Sequence, residues 1–145
     1  MQNGFREDVE RSFAELVARH GFRVLAGGYD AEDFGNALVV LESDDYSIRL
    51  VRDRSQVFVE LASPIDPGNW HGLGRVLAAI HGKAEDEEPC SGPVNLGDAA
   101  SAIKEHHASL VESLGLGRYE RTRPELDRLG QLAKERLLSR FQSGQ

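Results

Sequence analysis

The chain has a single cysteine, Cys90, in 145 residues, so no internal disulfide can form and nothing points to an oxidising compartment. No wholly apolar run exceeds the five residues of Ala37 to Leu41, far short of the roughly twenty needed to span a membrane. The start, MQNGFREDVER, lacks the basic opening and apolar core of a signal peptide. These absences lead to the expectation of a cytoplasmic protein that neither spans nor binds a membrane. Basic residues are scarce as well. With 17 Lys and Arg against 24 Asp and Glu, the net charge is -7, which argues against a non-specific nucleic-acid binder, because such proteins need clustered cations to displace counterions from phosphates. The last 50 residues hold eight cations against seven anions, so the acidity lies before Asn95.

Catalytic and cofactor signatures are missing too. Gly72-Leu73-Gly74-Arg75-Val76-Leu77 has the glycine spacing that opens a dinucleotide fingerprint, but Leu77 stands where the sixth position needs a glycine or alanine and no strand is expected before it. Small residues that let a helix pack closely are the better account of these glycines. His106 and His107 are neighbours, and adjacent helical residues point about 100° apart, so they cannot share a face as the i, i+4 pair of a zinc helix does. His107 falls on an apolar stripe and reads as a hydrogen-bonded core residue, His106 as solvated, and His71 and His81 as surface or boundary positions of one helix. Cys90 lies in EEPCSGP, where carboxylates raise a thiol pKa and oppose the thiolate that a nucleophile needs. No catalytic residue, metal ligand or cofactor is therefore assigned.

What is present is a strand-rich centre, Phe34 to Leu61. Asp44-Asp45 and Arg54-Ser55 serve as two-residue turns between three strands, and turn length sets cross-strand register. Neither is the Asn-Gly pair that such turns favour. The register places Leu41 opposite Ile48, Val39 opposite Leu50, Leu50 opposite Val59 and Ile48 opposite Leu61. One face then carries Ala37, Val39, Leu41, Tyr46, Ile48, Leu50, Val57, Val59 and Leu61, which must be covered. The other face mixes Leu38, Val40, Val51 and Phe58 with Glu42 and an Arg49–Glu60 pair, worth about 0.2–1 kcal/mol.

Around this centre the apolar spacing predicts helices. Phe5, Val9, Phe13, Leu16 and Val17 mark one from Gly4 to His20, closed by Gly21 and followed by a short strand, Phe22 to Ala26. Gly27 to Asp33 reads as a loop. Asp66-Pro67 has the composition of a helix start, with Trp70, Leu73, Leu77 and Ile80 as its stripe and Gly82 as its end. Lys83 to Val94 is an acidic loop. Asn95 caps a helix carrying Leu96, Ile103, His107, Leu110 and Leu114, and Pro124 opens a last one with Leu126, Leu129, Ala133, Leu137 and Phe141. The expectation is a single α+β domain over residues 1–145, an antiparallel β-meander of three to four strands covered by an N-terminal helix and three later helices.

The run N-x-L-V-V-L-E-S, then I-R-L-V-R-D-R-S-Q-V-F-V-E-L, then Pro64 and Asp66-Pro67 ahead of Trp70, resembles a pattern in small bacterial proteins grouped with immunity proteins, which neutralise the toxins of contact-dependent or polymorphic toxin systems. The resemblance covers Asn36 to Trp70. It implies a cytoplasmic protein that binds a cognate toxin by surface complementarity, without cofactor or turnover.

The residues suit that implication through Glu85-Asp86-Glu87-Glu88, the strongest charge run in the chain, since an acidic loop steers a cationic partner such as a basic toxin domain. Glu85, Asp86, Glu87, Glu88, Arg49, Phe58 and Glu60 are thus the expected partner-binding residues of a non-enzymatic protein-binding domain. Two alternatives stand beside it: a small-molecule binder or enzyme with a pocket near Cys90 and His107, and a homo-oligomeric adaptor, such as a homodimer, that pairs through its last two helices.

Overall fold

The computed structural model describes residues 4–25, 37–88 and 90–143. The expected loop at 27–33, Ala26 and the opening of the meander at 34–36 lie outside the described residues. The fold is α+β with an antiparallel sheet. The sheet has five strands rather than three or four: β1 Arg23–Leu25, β2 Ala37–Glu42, β3 Ser47–Asp53, β4 Gln56–Ala62 and β5 His71–Gly72, paired in that order.

The expected register is the observed one. Leu41 pairs with Ile48 and Val39 with Leu50, while Ile48 pairs with Leu61, Leu50 with Val59 and Arg49 with Glu60. The first turn is closed by Ser43, whose buried hydroxyl donates to the Tyr46 carbonyl at 2.8 Å and accepts from the Asp45 and Tyr46 amides. At the second turn Arg54 and Ser55 both adopt positive φ, 53° and 75°, the mirror-image geometry that matches the twist of paired strands.

Five helices form. The N-terminal helix is broken at Phe13 into α1 Gly4–Ser12 and α2 Ala14–His20, because Phe13 leaves helical geometry with φ -105° and ψ 12°. Its stripe still buries Phe5, Val9, Phe13 and Leu16 in one cluster with Val39, Leu41, Ile48, Leu50 and Leu61. Gly21, at φ 70°, ends α2 with its amide on the Val17 carbonyl.

The second expected helix starts six residues late, as α3 Leu73–His81. Asp66 and Pro67 instead form a tight turn in which the Asp66 amide donates to the Ser63 carbonyl and the Asn69 amide to the Asp66 carbonyl. His71 and Gly72 are drawn into the sheet against Leu61 and Glu60. Sheet pairing thus claims the backbone that local capping would have offered to a helix, and it puts His71 on a strand and Trp70 outside the helical stripe.

The acidic loop contains a single 3₁₀ turn, Glu85–Glu87. Helix α4 Leu96–Leu114 begins as expected, with Asn95 Oδ1 accepting from the Gly97 and Asp98 amides at 2.8 and 3.2 Å. Helix α5 Tyr119–Ser143 starts before Pro124 rather than at it, since Tyr119 is buried and its amide bonds to the Gly115 carbonyl. Leu126 and Leu129 join the buried residues, but Leu137 is 53% and Leu138 57% exposed, so only the first half of α5 helps to close the core. Among the described residues no helix is long and apolar enough to cross a membrane.

The helices cover the face of Val39, Leu41, Ile48 and Leu50. On the other face Leu38, Val40, Val51 and Phe58 are half-buried. There Arg49 holds Glu60 at 2.8 Å from Nε and lies 4.7 Å over the Trp70 ring.

Candidate functional site

The segment from Cys90 to Val94 runs like a strap between α3 and the start of β4 and leads into α4. Its C-terminal end is fixed to the sheet, with the Val94 amide on the Val57 carbonyl at 2.8 Å. Near its N-terminal end it presses on Gly74. A Cβ at that glycine would stand 2.7 Å from the Ser91 Cα, closer than side-chain atoms tolerate, so the glycine of the failed dinucleotide fingerprint serves close packing.

Beside the strap lies a cleft of about 600 Å³. Asp98, Ser101, Ala102 and Glu105 reach it from one face of α4, as spacings of three, four and seven residues require in a helix. Val57, Leu77, Pro93 and Val94 give it apolar walls, and Glu88, Cys90 and His106 complete it. Three carboxylates and one imidazole line the cleft, and no Lys or Arg does so among the described residues.

Glu88 is the least exposed of these acids, with a side chain only 3% accessible. Its Oε2 accepts from His81 Nδ1 at 2.8 Å, which places a proton on that nitrogen. The His81 ring meets His106 edge to face, centroids 4.9 Å apart, and His106 Nε2 lies 3.6 Å from Glu105 Oε2. Burial pushes the Cys90 thiol up, and the carboxylates of Asp98 and Glu88 push it further. The cleft accordingly makes a poor site for a thiolate.

The expected partner-binding residues are divided between several places. Arg49, Phe58, Glu60 and Glu85 come together at a second hollow of about 370 Å³, on the far side of Cys90. Glu88 faces the first cleft. Asp86 pairs with Arg136 of α5 at 3.3 Å, Glu85 with Arg75 at 2.9 Å, and Glu87 accepts from the Ala84 amide at 3.0 Å. The run is therefore tied down residue by residue rather than freely solvated.

Of the alternative pocket expected near Cys90 and His107, the cleft takes in Cys90 but not His107. His107 points to the other side of α4, where its Nδ1 is 2.8 Å from the Tyr46 hydroxyl and its ring stacks on His20 at 3.6 Å. Its neighbour His106, half-buried rather than solvated, lines the cleft. His71 is likewise no surface residue: 4% exposed, it bonds through Nε2 to the Tyr119 hydroxyl at 2.9 Å. Asp98 and Glu105, absent from the expected set, were findable only as an i, i+7 acidic pair on the polar side of α4. Among the described residues no group of three or more His, Cys, Asp or Glu side chains is arranged to hold a metal ion. Compared with protein-family models, curated proteins and solved structures, the chain matches none of them.

Proposed function

We propose that this is a non-enzymatic, cytoplasmic protein-binding protein that engages a basic partner and, as an immunity protein does, neutralises a toxin domain by surface complementarity. The observation that carries this reading is the one-signed lining of the cleft, with Glu88, Asp98 and Glu105 and, among the described residues, no Lys or Arg. A concave surface of one sign focuses its field, raises the encounter rate with a cationic partner and rejects anionic ones. Burial, with Asp98 and Glu88 adding to it, holds the Cys90 thiol up, which disfavours nucleophilic catalysis there. Calorimetry with basic toxin domains encoded beside the protein tests the reading. A one-to-one complex that weakens steeply between low and high salt is expected, and the absence of any complex overturns it.

A second reading has its own support: a hollow of about 600 Å³ is within the range of small-molecule sites. A ligand-induced rise in melting temperature across a panel of small amines, with no protein complex formed, would favour it.

A further inference from the structure

The side chain of Glu88 is buried in the wall of the larger cleft, and among the described residues only one of its two oxygens has a donor. Oε2 accepts a hydrogen bond from His81 Nδ1, and no hydrogen bond from a described residue reaches Oε1. A buried carboxylate oxygen without a donor is costly, and such atoms are rare in folded proteins unless something else binds them. Around it, Asp98 and Glu105 add acceptors, and among the described residues no Lys or Arg lines the cleft to neutralise them.

The walls supply the other half of a recognition site. Val57, Leu77, Pro93 and Val94 would cover a short hydrocarbon stem, as the apolar part of a long cationic side chain is commonly covered while its head finds charge. We propose that the cleft is a subsite for an alkyl cation, a guanidinium or primary ammonium on a short aliphatic stem, whose N–H groups bond to Glu88 Oε1 and the carboxylates of Asp98 and Glu105. This rests on the binding reading above and names the chemistry that its cleft accepts. An arginine or lysine side chain of the partner and a free amine share that chemistry.

The test uses the full chain and amide NMR titration with butylguanidinium and butylammonium, with butyrate and butanol as controls. Shifts confined to Cys90, Asp98, Ala102 and His106, saturable with the cations and absent with the controls, are expected. Glu105→Gln, on an exposed residue that leaves the core untouched, should weaken binding several-fold. Glu88→Gln should weaken it by tenfold or more if the variant folds. Micromolar affinity for the free cations assigns a free amine. Millimolar affinity, with butylguanidinium competing against a basic protein partner, assigns the partner's side chain. Shifts that are absent, scattered, or equal with butanol overturn the proposal. A partner complex that forms with unchanged affinity for Glu105→Gln and Glu88→Gln overturns the subsite while the binding reading stands. Cation binding in the cleft with no protein complex does the reverse.

Discussion

His71 Nε2 lies 2.9 Å from the hydroxyl of Tyr119, and that hydroxyl donates its one proton to Asp66 at 3.1 Å. Nε2 must therefore carry a proton and donate to the tyrosine oxygen, which sets the tautomer of a buried histidine. The chain Asp66–Tyr119–His71 ties the start of α5 to the edge strand, and Asn69 completes it by donating to Asp66 at 3.1 Å.

Tyr119→Phe removes the middle of that chain and leaves the His71 donor buried without a partner. A loss of about 1–3 kcal/mol is expected, the usual cost of orphaning a buried polar group. Urea unfolding monitored by circular dichroism measures it, and an unchanged midpoint would show that the chain contributes nothing to stability.

Stability should fall on mild acidification. Burial holds His71 below the ordinary value of 6.5, with Arg75 adding to it and Asp127 and Asp66 opposing. Burial also lowers His107, with the stacked His20 adding and Asp45 opposing. The unfolded chain thus binds these protons more tightly than the folded one, so stability is complete above pH 6.5 and is lost as pH falls through and below that value. Urea midpoints between pH 7.5 and 5 should decline, and His107→Gln should flatten part of the slope. At the alkaline end the sign reverses. Tyr119, pushed up to about 12 by burial and then by Asp66, keeps its proton longer when folded, so stability declines as pH rises above 10.

Two glycines two residues apart should respond oppositely to alanine. At Gly74 the added methyl meets the Ser91 backbone at 2.7 and 2.9 Å, and an overpacking cost of about 1–3 kcal/mol is expected. At Gly72 a Cβ meets nothing within 4 Å and φ is -58°, so Gly72→Ala should be neutral or slightly stabilising. Thermal melts of the two variants decide the matter, and equal shifts would contradict it.

Ser55→Gly at the β3–β4 turn should stabilise the chain by about 0.4–1 kcal/mol, because φ 75° is a conformation that glycine adopts without the steric cost borne by a residue with a Cβ. A raised melting temperature with unchanged register in amide spectra is the expected result.

The meander was legible because its information is local and periodic. Two-residue turns between Ala37–Glu42, Ser47–Asp53 and Gln56–Ala62 set a register that gathers Val39, Leu41, Ile48, Leu50, Val59 and Leu61 on one buried face. The start of α3 was not legible, since Asp66-Pro67 is a sound local capping signal and the competing claim, pairing of His71 with Leu61, comes from a strand ten residues away. The site divided along the same line. That His106 and His107 face different ways follows from helix geometry alone. Which of them lines the cleft with Cys90 depends on where the segment before α4 lies, and nothing within the helix specifies that. Glu88 looked like one charge in a solvated run, whereas its partner His81 lies seven residues back across a loop.

Beyond Ala133, every residue of α5 from Lys134 to Arg140 is exposed, and the ion pair of Arg136 with Asp86 joins this stretch to the rest of the chain. Leu138, exposed on that stretch, is not among the residues that line the acidic cleft. A fluorophore or surface linker attached at Leu138 would therefore report on, or immobilise, the protein without entering the core or blocking the cleft.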